Sequence, residues 1–397
     1  MNIQLSKRME AFGPSIFSDL ANCKQKKIAE GAQMIDLSIG SPDLPPPPFV
    51  MEALTQAAED KSNYGYTLKG TAEFHEAVAH YYEQHNDVTL DPKKEVMLMM
   101  GSQDGLVHLP MAFADPGDLI LVPDPGYTAY ATGIAMAGAK MHLMPLLPDH
   151  QFLSDLDSIP EETAKQAKMM ILNFPGNPVP AMANEAFFAK VISFAEKYNI
   201  LVIHDFAYSE LYYDGNKPIS FLSVPGAKEV GIEMNSLSKS FNMAGCRIGY
   251  AIGNEHAIGA LTRFKSNLDY GVFLPVQKAA IAALRNGADF CKESRDIYQK
   301  RRDMLVDGLG ALGWHVEKPA GSMFVWAKIP AGWNSLDFAY ALMDQANVVV
   351  TPGHAFGPTG EGYVRIALVQ PEEIIQKALR NIEKSGILSS PVQKAEV

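Results

Sequence analysis

Between residues 95 and 253 one pattern repeats: a short apolar run, then a longer stretch of mixed polarity with helical spacing. The runs are EVMLMM ending at Met100, DLILVP from Asp118, KMHLMPL from Lys140, KMMILNF from Lys168, ILVIHDF from Ile200, GIEMNSL from Gly231 and RIGYAIG from Arg247. A strand covered on both faces loses its two-residue alternation, and these runs have largely lost it. Strands separated by helical segments are joined by crossovers, so the pattern predicts a mostly parallel sheet with helices on both sides. That places a central α/β unit in the middle of the chain.

After about residue 280 the texture changes. A charged helical stretch, SRDIYQKRRDMLVDGLGAL, is followed by strand-sized pieces, WHVEK, MFVWAK, NVVVTP and YVRIAL, set among helices. This predicts a separate α+β unit. The first 45 residues are too short and interrupted to form a core, so they are expected to pack against the carboxyl-terminal unit. The prolines at 45 to 48 predict an extended connector, and the tail SGILSSPVQKAEV is expected to fray. The expected division is 46–280 for a large unit, with 1–45 and 281–397 together forming a small one. A length of 397 residues accommodates both.

Composition narrows the partners. Lys plus Arg total 34 against 45 Asp plus Glu, a net charge of −11 that repels nucleic-acid phosphates and anionic lipid. Neither nucleic acid nor a membrane is expected as a partner. Cys23, Cys246 and Cys291 are scattered, odd in number and without metal-ligand spacing, which suits a reducing compartment. The opening MNIQLSKRMEAFGPSIF has no apolar core of leader length, and the expectation is a cytoplasmic protein.

Two motifs invite misreading. GLGALG, Gly308 to Gly313, matches the dinucleotide fingerprint in letters, but a charged helical pattern precedes it where that fingerprint needs a strand. It reads as a helix end. HEAVAH, His75 to His80, spaces its histidines by five rather than four, which turns the second imidazole off the first one's face. It reads as a solvated helix, and no metal site is expected.

The chemistry concentrates in NSLSKSFNMAGCRIGY, Asn235 to Tyr250. A strand ends, Ser236 and Ser238 flank Lys239, and Arg247 follows. Hydroxyls beside one lysine and one arginine describe a phosphate site next to a reactive amine, since arginine binds phosphate bidentately. In isolation Lys239 would be a surface lysine. GSQDG, Gly101 to Gly105, sits where an apolar run gives way to a helix, so free amides and the helix dipole can hold a phosphate there.

Together with NFPGNP, HDFAY and YVRIAL, these motifs resemble the class I pyridoxal-phosphate aminotransferases of fold type I. The likeness runs from LSIGSPD near residue 40 to Arg365. DPGY, LSKSFNMAG and VVVTPG are similar in wording to the subgroup of diaminopimelate, methionine and aromatic aminotransferases. The resemblance implies the fold type I architecture: a large domain with a mostly parallel seven-stranded sheet flanked by helices, plus a smaller α+β domain. It also implies a ping-pong transfer of the α-amino group from an L-amino acid to a 2-oxo acid such as 2-oxoglutarate.

Residue by residue, the resemblance implies that Lys239 forms the Schiff base with pyridoxal 5'-phosphate and later shuttles the proton. Asp205 pairs with the pyridine nitrogen. Tyr208 and Asn177 bond the phenolic oxygen, and Tyr127 stacks on the ring. Gly101, Ser102, Gln103, Ser236, Ser238 and Arg247 surround the phosphate. Arg365 grips the substrate α-carboxylate, with Gly40 allowing close backbone approach. His204 is expected on the opposite face of the strand, in a structural role. A tyrosine from a neighbouring subunit completes the phosphate site, which implies a homodimer with shared active sites; Tyr64 and Tyr66 both offer themselves, with Tyr66 favoured.

Some residues depart from the family's wording. Val179 and Pro180 stand where Thr-Gly is usual, so the loop after Asn177 is expected to differ in shape. Cys246 replaces a common tryptophan. Aspartate specialists use a second arginine from the partner; the stretch RFKSNLDYGVF offers Arg263 and Lys265, with the register open. The rival readings are a carbon–sulfur β-lyase on the same scaffold, and a non-catalytic regulator, which would need an added basic segment that is missing here.

Overall fold

The computed structural model describes residues 3–13 and 15–389. In chain order the strands are β1 (Ile35–Asp36), β2 (Val96–Met99), β3 (Leu119–Asp124), β4 (Lys140–Pro145), β5 (Ala167–Leu172), β6 (Leu201–Asp205), β7 (Gly231–Ser236) and β8 (Gly249–Gly253), then β9 (Phe324–Lys328), β10 (Val348–Val349), β11 (Thr351–Pro352) and β12 (Tyr363–Ala367). All seven apolar runs are strands of one sheet, ordered β2-β8-β7-β6-β5-β3-β4. Only β8 runs antiparallel to its neighbours, between β2 and β7.

The lost alternation has the expected cause. In β2, Val96 and Leu98 enter one core while Met97 and Met99 enter another across the sheet. Helices Ser102–Phe113, Thr128–Ala137 and Glu255–Lys265 cover the second face; Ala72–Asn86, Glu185–Tyr198 and Leu274–Asn286 cover the first. Each aliphatic side chain so buried contributes about 1.5 to 3 kcal/mol. The exception is β4, an edge strand whose Met141 and Leu143 stay exposed.

β9, β11 and β12 form a three-stranded antiparallel sheet, and β1 lies parallel to β10. Helices Ala288–Ala311, Ser335–Ala346 and Glu372–Ser385 pack on these strands around a further core. NVVVTP is thus two short strands in two different sheets. WHVEK, expected as a strand, is none: the Trp314 amide bonds back to Leu309 O at the preceding helix end, and its indole N–H donates to Lys328 O at 2.7 Å.

Other local expectations shift as well. Pro48 is the first residue of helix Pro48–Glu59 rather than a connector, a place where its missing N–H costs nothing. Ile387 is buried in the core, so the tail is anchored at least that far; residues 390–397 of it lie outside the described part. Gly308 and Gly310 sit in the last turns of Ala288–Ala311, so GLGALG is a helix end. HEAVAH lies in helix Ala72–Asn86, whose one face is buried through Phe74, Ala77 and Val78 rather than solvated all round. No helix among the described residues is long and apolar enough to cross a membrane.

Candidate active site

The parallel strands β3, β5, β6 and β7 end at one edge of the sheet, and β2, paired with β8, delivers Gly101 to the same edge. Ligands of open α/β sheets bind outside these carboxyl ends. A cavity of about 500 Å³ lies there, lined among others by Ser102, Gln103, Tyr127, Asp205, Lys239 and Arg365. Gly40, Asn177, Tyr208, Ser236, Ser238 and Arg247 line it too. Apart from Tyr66 and the backbone of Gly101, the site residues named from the sequence line one hollow.

β7 ends in Ser236, whose hydroxyl caps the short helix Leu237–Ser240 by accepting from the Ser238 amide at 3.2 Å. That turn presents Lys239, whose Nζ donates to the carbonyl of Gly40. Burial, then the cations Arg365 and Arg247, lower the Lys239 amine to about 8. Roughly a tenth of it is then neutral at pH 7. The Ser238 hydroxyl is buried with no partner. Gly101 holds φ +80°, and a Cβ there would lie 2.7 Å from Nη2 of Arg247, so only glycine lets the guanidinium cross this turn.

Asp205 ends β6 at 4% exposure. Its Oδ2 accepts from the Tyr130 hydroxyl at 2.8 Å, while Oδ1 is buried and unpartnered. Burial raises its proton affinity, against the Tyr130 bond, His204, the Ala207 amide and Lys239. His204 lies on the other face, held by Glu233 at 2.8 Å and the Phe174 carbonyl at 3.1 Å. Burial pushes the Tyr208 phenol well up, so it stays a donor.

Arg365, on β12, is buried over the ring of Phe324. Nη1 donates to Oδ1 of Asn177 at 2.7 Å and Nη2 to the Ser38 carbonyl at 2.5 Å, while Nε has no partner. Burial lowers it to about 10, which leaves it cationic at neutral pH. Gly40 packs against the same Phe324; a Cβ on it would meet that ring at 3.2 Å.

The family model for aminotransferase class I and II matches residues 32–382. The chain belongs to this family. Two LL-diaminopimelate aminotransferases are close relatives of this aminotransferase. That of Moorella thermoacetica is 44% identical over 387 residues, covering 96% of this chain and 98% of the relative. That of Desulforudis audaxviator is 45% identical over 383 residues, covering 96% and 98%. A substrate-bound BacF structure from Bacillus subtilis superposes with a TM-score of 0.94 at 39% identity, covering 99% of this chain and all of that one. The aminotransferase has the fold type I architecture and is pyridoxal-phosphate dependent. Its residues fit that group. The orphaned Asp205 Oδ1 could accept from a ring nitrogen, the orphaned Ser238 Oγ could donate to a phosphate, and Lys239 lines the same cavity.

Several contributors to the site carried no signal of their own. Tyr130 holds Asp205; Asn173 donates to the Asp205 carbonyl at 2.6 Å and accepts from the Asn177 amide at 2.8 Å. The Thr351 hydroxyl takes Arg365 Nη2 at 3.3 Å. Lys24 and Asp36, paired at 2.6 Å, line the cavity beside Phe17 and Leu20. Val179 is buried in the core, which fixes the unusual loop. Cys246 is partly buried against the same core. Lys265 is pinned inside its own chain by Asp104 at 2.7 Å and by Asp269, and neither it nor Arg263 lines the cavity. Tyr66 is 83% exposed and also stands outside the cavity, its ring against Tyr270. Tyr64 spends its hydroxyl on the Ala58 carbonyl. Among the described residues no His, Cys, Asp or Glu cluster is placed to hold a metal.

Proposed function

We propose that this aminotransferase takes the α-amino group from LL-diaminopimelate or a similar L-amino acid and passes it to a 2-oxo acid such as 2-oxoglutarate in two half-reactions. The observation that carries the chemistry is the shared cavity of the Lys239 amine, the free Asp205 oxygen and the Arg365 guanidinium. The donor follows from the likeness to two LL-diaminopimelate enzymes and from the Lys24–Asp36 pair. One of three Lys24 protons is spent on Asp36, so two remain for a distal carboxylate.

When bound, pyridoxal phosphate supplies an aldehyde carbon that takes an amine and a ring that accepts the electron pair left at the substrate α-carbon. Lys239 would hold it through Nζ. Ser236, Ser238, Arg247 and the turn Gly101–Ser102–Gln103 would hold the phosphate, the helix Ser102–Phe113 adding its dipole. Tyr127 would cover the ring, Asp205 would keep its nitrogen protonated, and Asn177 with Tyr208 would bond its phenolic oxygen. Arg365 and the Gly40 backbone orient the α-carboxylate and with it the α-carbon. Lys239, largely enclosed and shifted toward neutrality, would hold and move a proton on Nζ at the substrate α-carbon.

The chain is read as a large unit 46–280 and a small unit 1–45 plus 281–397, acting as a cytoplasmic homodimer in which Tyr66 of one copy completes the other's phosphate site. The exposed cluster Tyr64, Tyr66, Tyr270 and Phe273 supports that contact, and three unpaired cysteines suit the compartment. Phe17, Leu20 and Val349 give the cavity an apolar wall, which favours methionine or aromatic donors as the second reading. A panel of LL-diaminopimelate, phenylalanine and methionine against 2-oxoglutarate and pyruvate decides. Turnover with an amino acid alone, releasing pyruvate and ammonia, would instead identify a β-lyase.

A further inference from the structure

Tyr130 is 1% exposed, three residues beyond Tyr127 on the helix Thr128–Ala137. Its hydroxyl meets Asp205 Oδ2, and its ring meets that of Tyr127 edge-on, centroids 5.7 Å apart at 89°. The helix cannot slide: a Cβ on Gly133 would lie 2.7 Å from the Leu106 carbonyl, so this helix and Ser102–Phe113 touch backbone to backbone. Tyr130 therefore joins three parts of the site, the carboxylate, the ring-covering tyrosine and the helix that carries the phosphate turn.

We propose that Tyr130 is a positioning residue for amino-group transfer: by holding Oδ2 it fixes the rotation of Asp205 and leaves Oδ1 as the one oxygen available to a ring nitrogen. This rests on the reading of Asp205 as the nitrogen's partner. The groups facing Asp205 are Tyr130, Tyr127 and Tyr208, the backbone amide of Ala207, Lys239 across the cavity and His204 behind the strand, itself against Glu233. Burial favours the protonated acid, and a donor at Oδ2 favours the carboxylate. Without the hydroxyl, Asp205 loses its side-chain donor at Oδ2 and keeps only the weaker support of the Ala207 amide, so it takes up a proton or turns. Either outcome weakens its hold on a proton at the ring nitrogen.

The test is Tyr130→Phe, which keeps the ring, beside Tyr130→Leu and Asp205→Asn, all in the cofactor-loaded enzyme. Tyr130→Phe is expected to lower kcat about tenfold and to move the acid limb of kcat/KM upward by about one pH unit. The pH midpoint of the bound cofactor's absorbance change should also rise, since a ring nitrogen that loses its proton makes the Lys239 nitrogen more basic. Tyr130→Leu should show the same shifts and also a lower Tm. An unmoved midpoint and acid limb in Tyr130→Phe, with loss of Tm in Tyr130→Leu alone, would reduce Tyr130 to a space-filler and overturn the proposal. If the midpoint is unmoved in Asp205→Asn as well, the proposal falls together with the reading of Asp205.

Discussion

Arg365 is joined to Asn177 by a 2.7 Å hydrogen bond, so the cation of β12 and the loop after β5 meet at one point of the cavity wall. A carboxylate arriving there would find a guanidinium already oriented. Charge-assisted hydrogen bonds contribute about 1.5 to 3 kcal/mol each. Arg365→Ala should therefore reduce kcat/KM for every amino acid by ten- to a hundred-fold or more, at 1.4 kcal/mol per decade. Cofactor affinity, measured by equilibrium dialysis, should stay within about threefold. Unchanged amino-acid kinetics would remove Arg365 from the substrate site.

Lys239 is lowered to about 8 by burial and by Arg365 and Arg247. A lysine is nucleophilic only when neutral, so a lowered value moves reactivity to lower pH. In cofactor-free protein the rate of pyridoxal-phosphate capture should climb through a midpoint near 8 and level off by about pH 9. Arg365→Ala should push that midpoint upward. A midpoint above 10, that of an ordinary lysine, contradicts the electrostatics described for the cavity.

Asp104 stands in the first turn of helix Ser102–Phe113 and accepts from the Met100 amide, His108 and Lys265. Burial on its own would raise its carboxyl, but these bonds and the Lys265 charge outweigh it and hold it down at about 2 against an ordinary 3.8. At about 1.4 kcal/mol per pKa unit, the shift contributes on the order of 2 kcal/mol to stability. Because the folded value is the lower one, the contribution is complete above about pH 5 and lost as pH falls toward 2. Asp104→Asn should cost about 2 to 4 kcal/mol in urea unfolding at pH 7, and the gap to the parent should narrow below pH 4. A constant gap from pH 7 to pH 3 would show that the pair contributes nothing through charge.

The strands were legible because a parallel sheet covered on both faces writes itself as unbroken apolar runs, and Met97 and Val96, facing opposite cores, are equally apolar. Lys239, Ser236, Ser238 and Arg247 were legible because one short stretch of chain, 236–247, carries them all. Tyr130 and Asn173 were not: they act on Asp205 from 75 and 32 residues away, through contacts that only the folded sheet creates. WHVEK misled because Trp and Val have strand propensity, yet the backbone there finds the carbonyls of a helix end first. Lys24 and Asp36 sit in unremarkable sequence and reach the cavity only because β1 pairs with β10.

Tyr66 and Tyr64 separate by what their hydroxyls already do. Tyr64 is bonded to Ala58 O within its own chain, whereas Tyr66 stands free at 83% exposure. Tyr66→Phe should weaken pyridoxal-phosphate binding by about ten- to a hundredfold, the range for one hydrogen bond to a charged group. Tyr64→Phe should change it little. Sedimentation should give a dimer in both variants, and a fully active monomer would contradict the shared site.

Lys24 and Asp36 form a charged pair of the cavity wall to which the proposed cofactor and α-carboxylate contacts assign no part. Asp36 already accepts three bonds, from Lys24 on one oxygen and from the Ser38 amide and hydroxyl on the other. Lys24 keeps two free protons, so it is the member that can answer a second carboxylate. Lys24→Met keeps the stem and removes the charge. For LL-diaminopimelate, KM should rise about ten- to a hundredfold, the loss of one charge-assisted contact. For phenylalanine and methionine, which bring no distal charge, KM should hold or fall. Equal effects on all three donors would mean that Lys24 only braces Asp36 and the Ser38 loop behind Arg365, and the donor would then be sought among apolar amino acids.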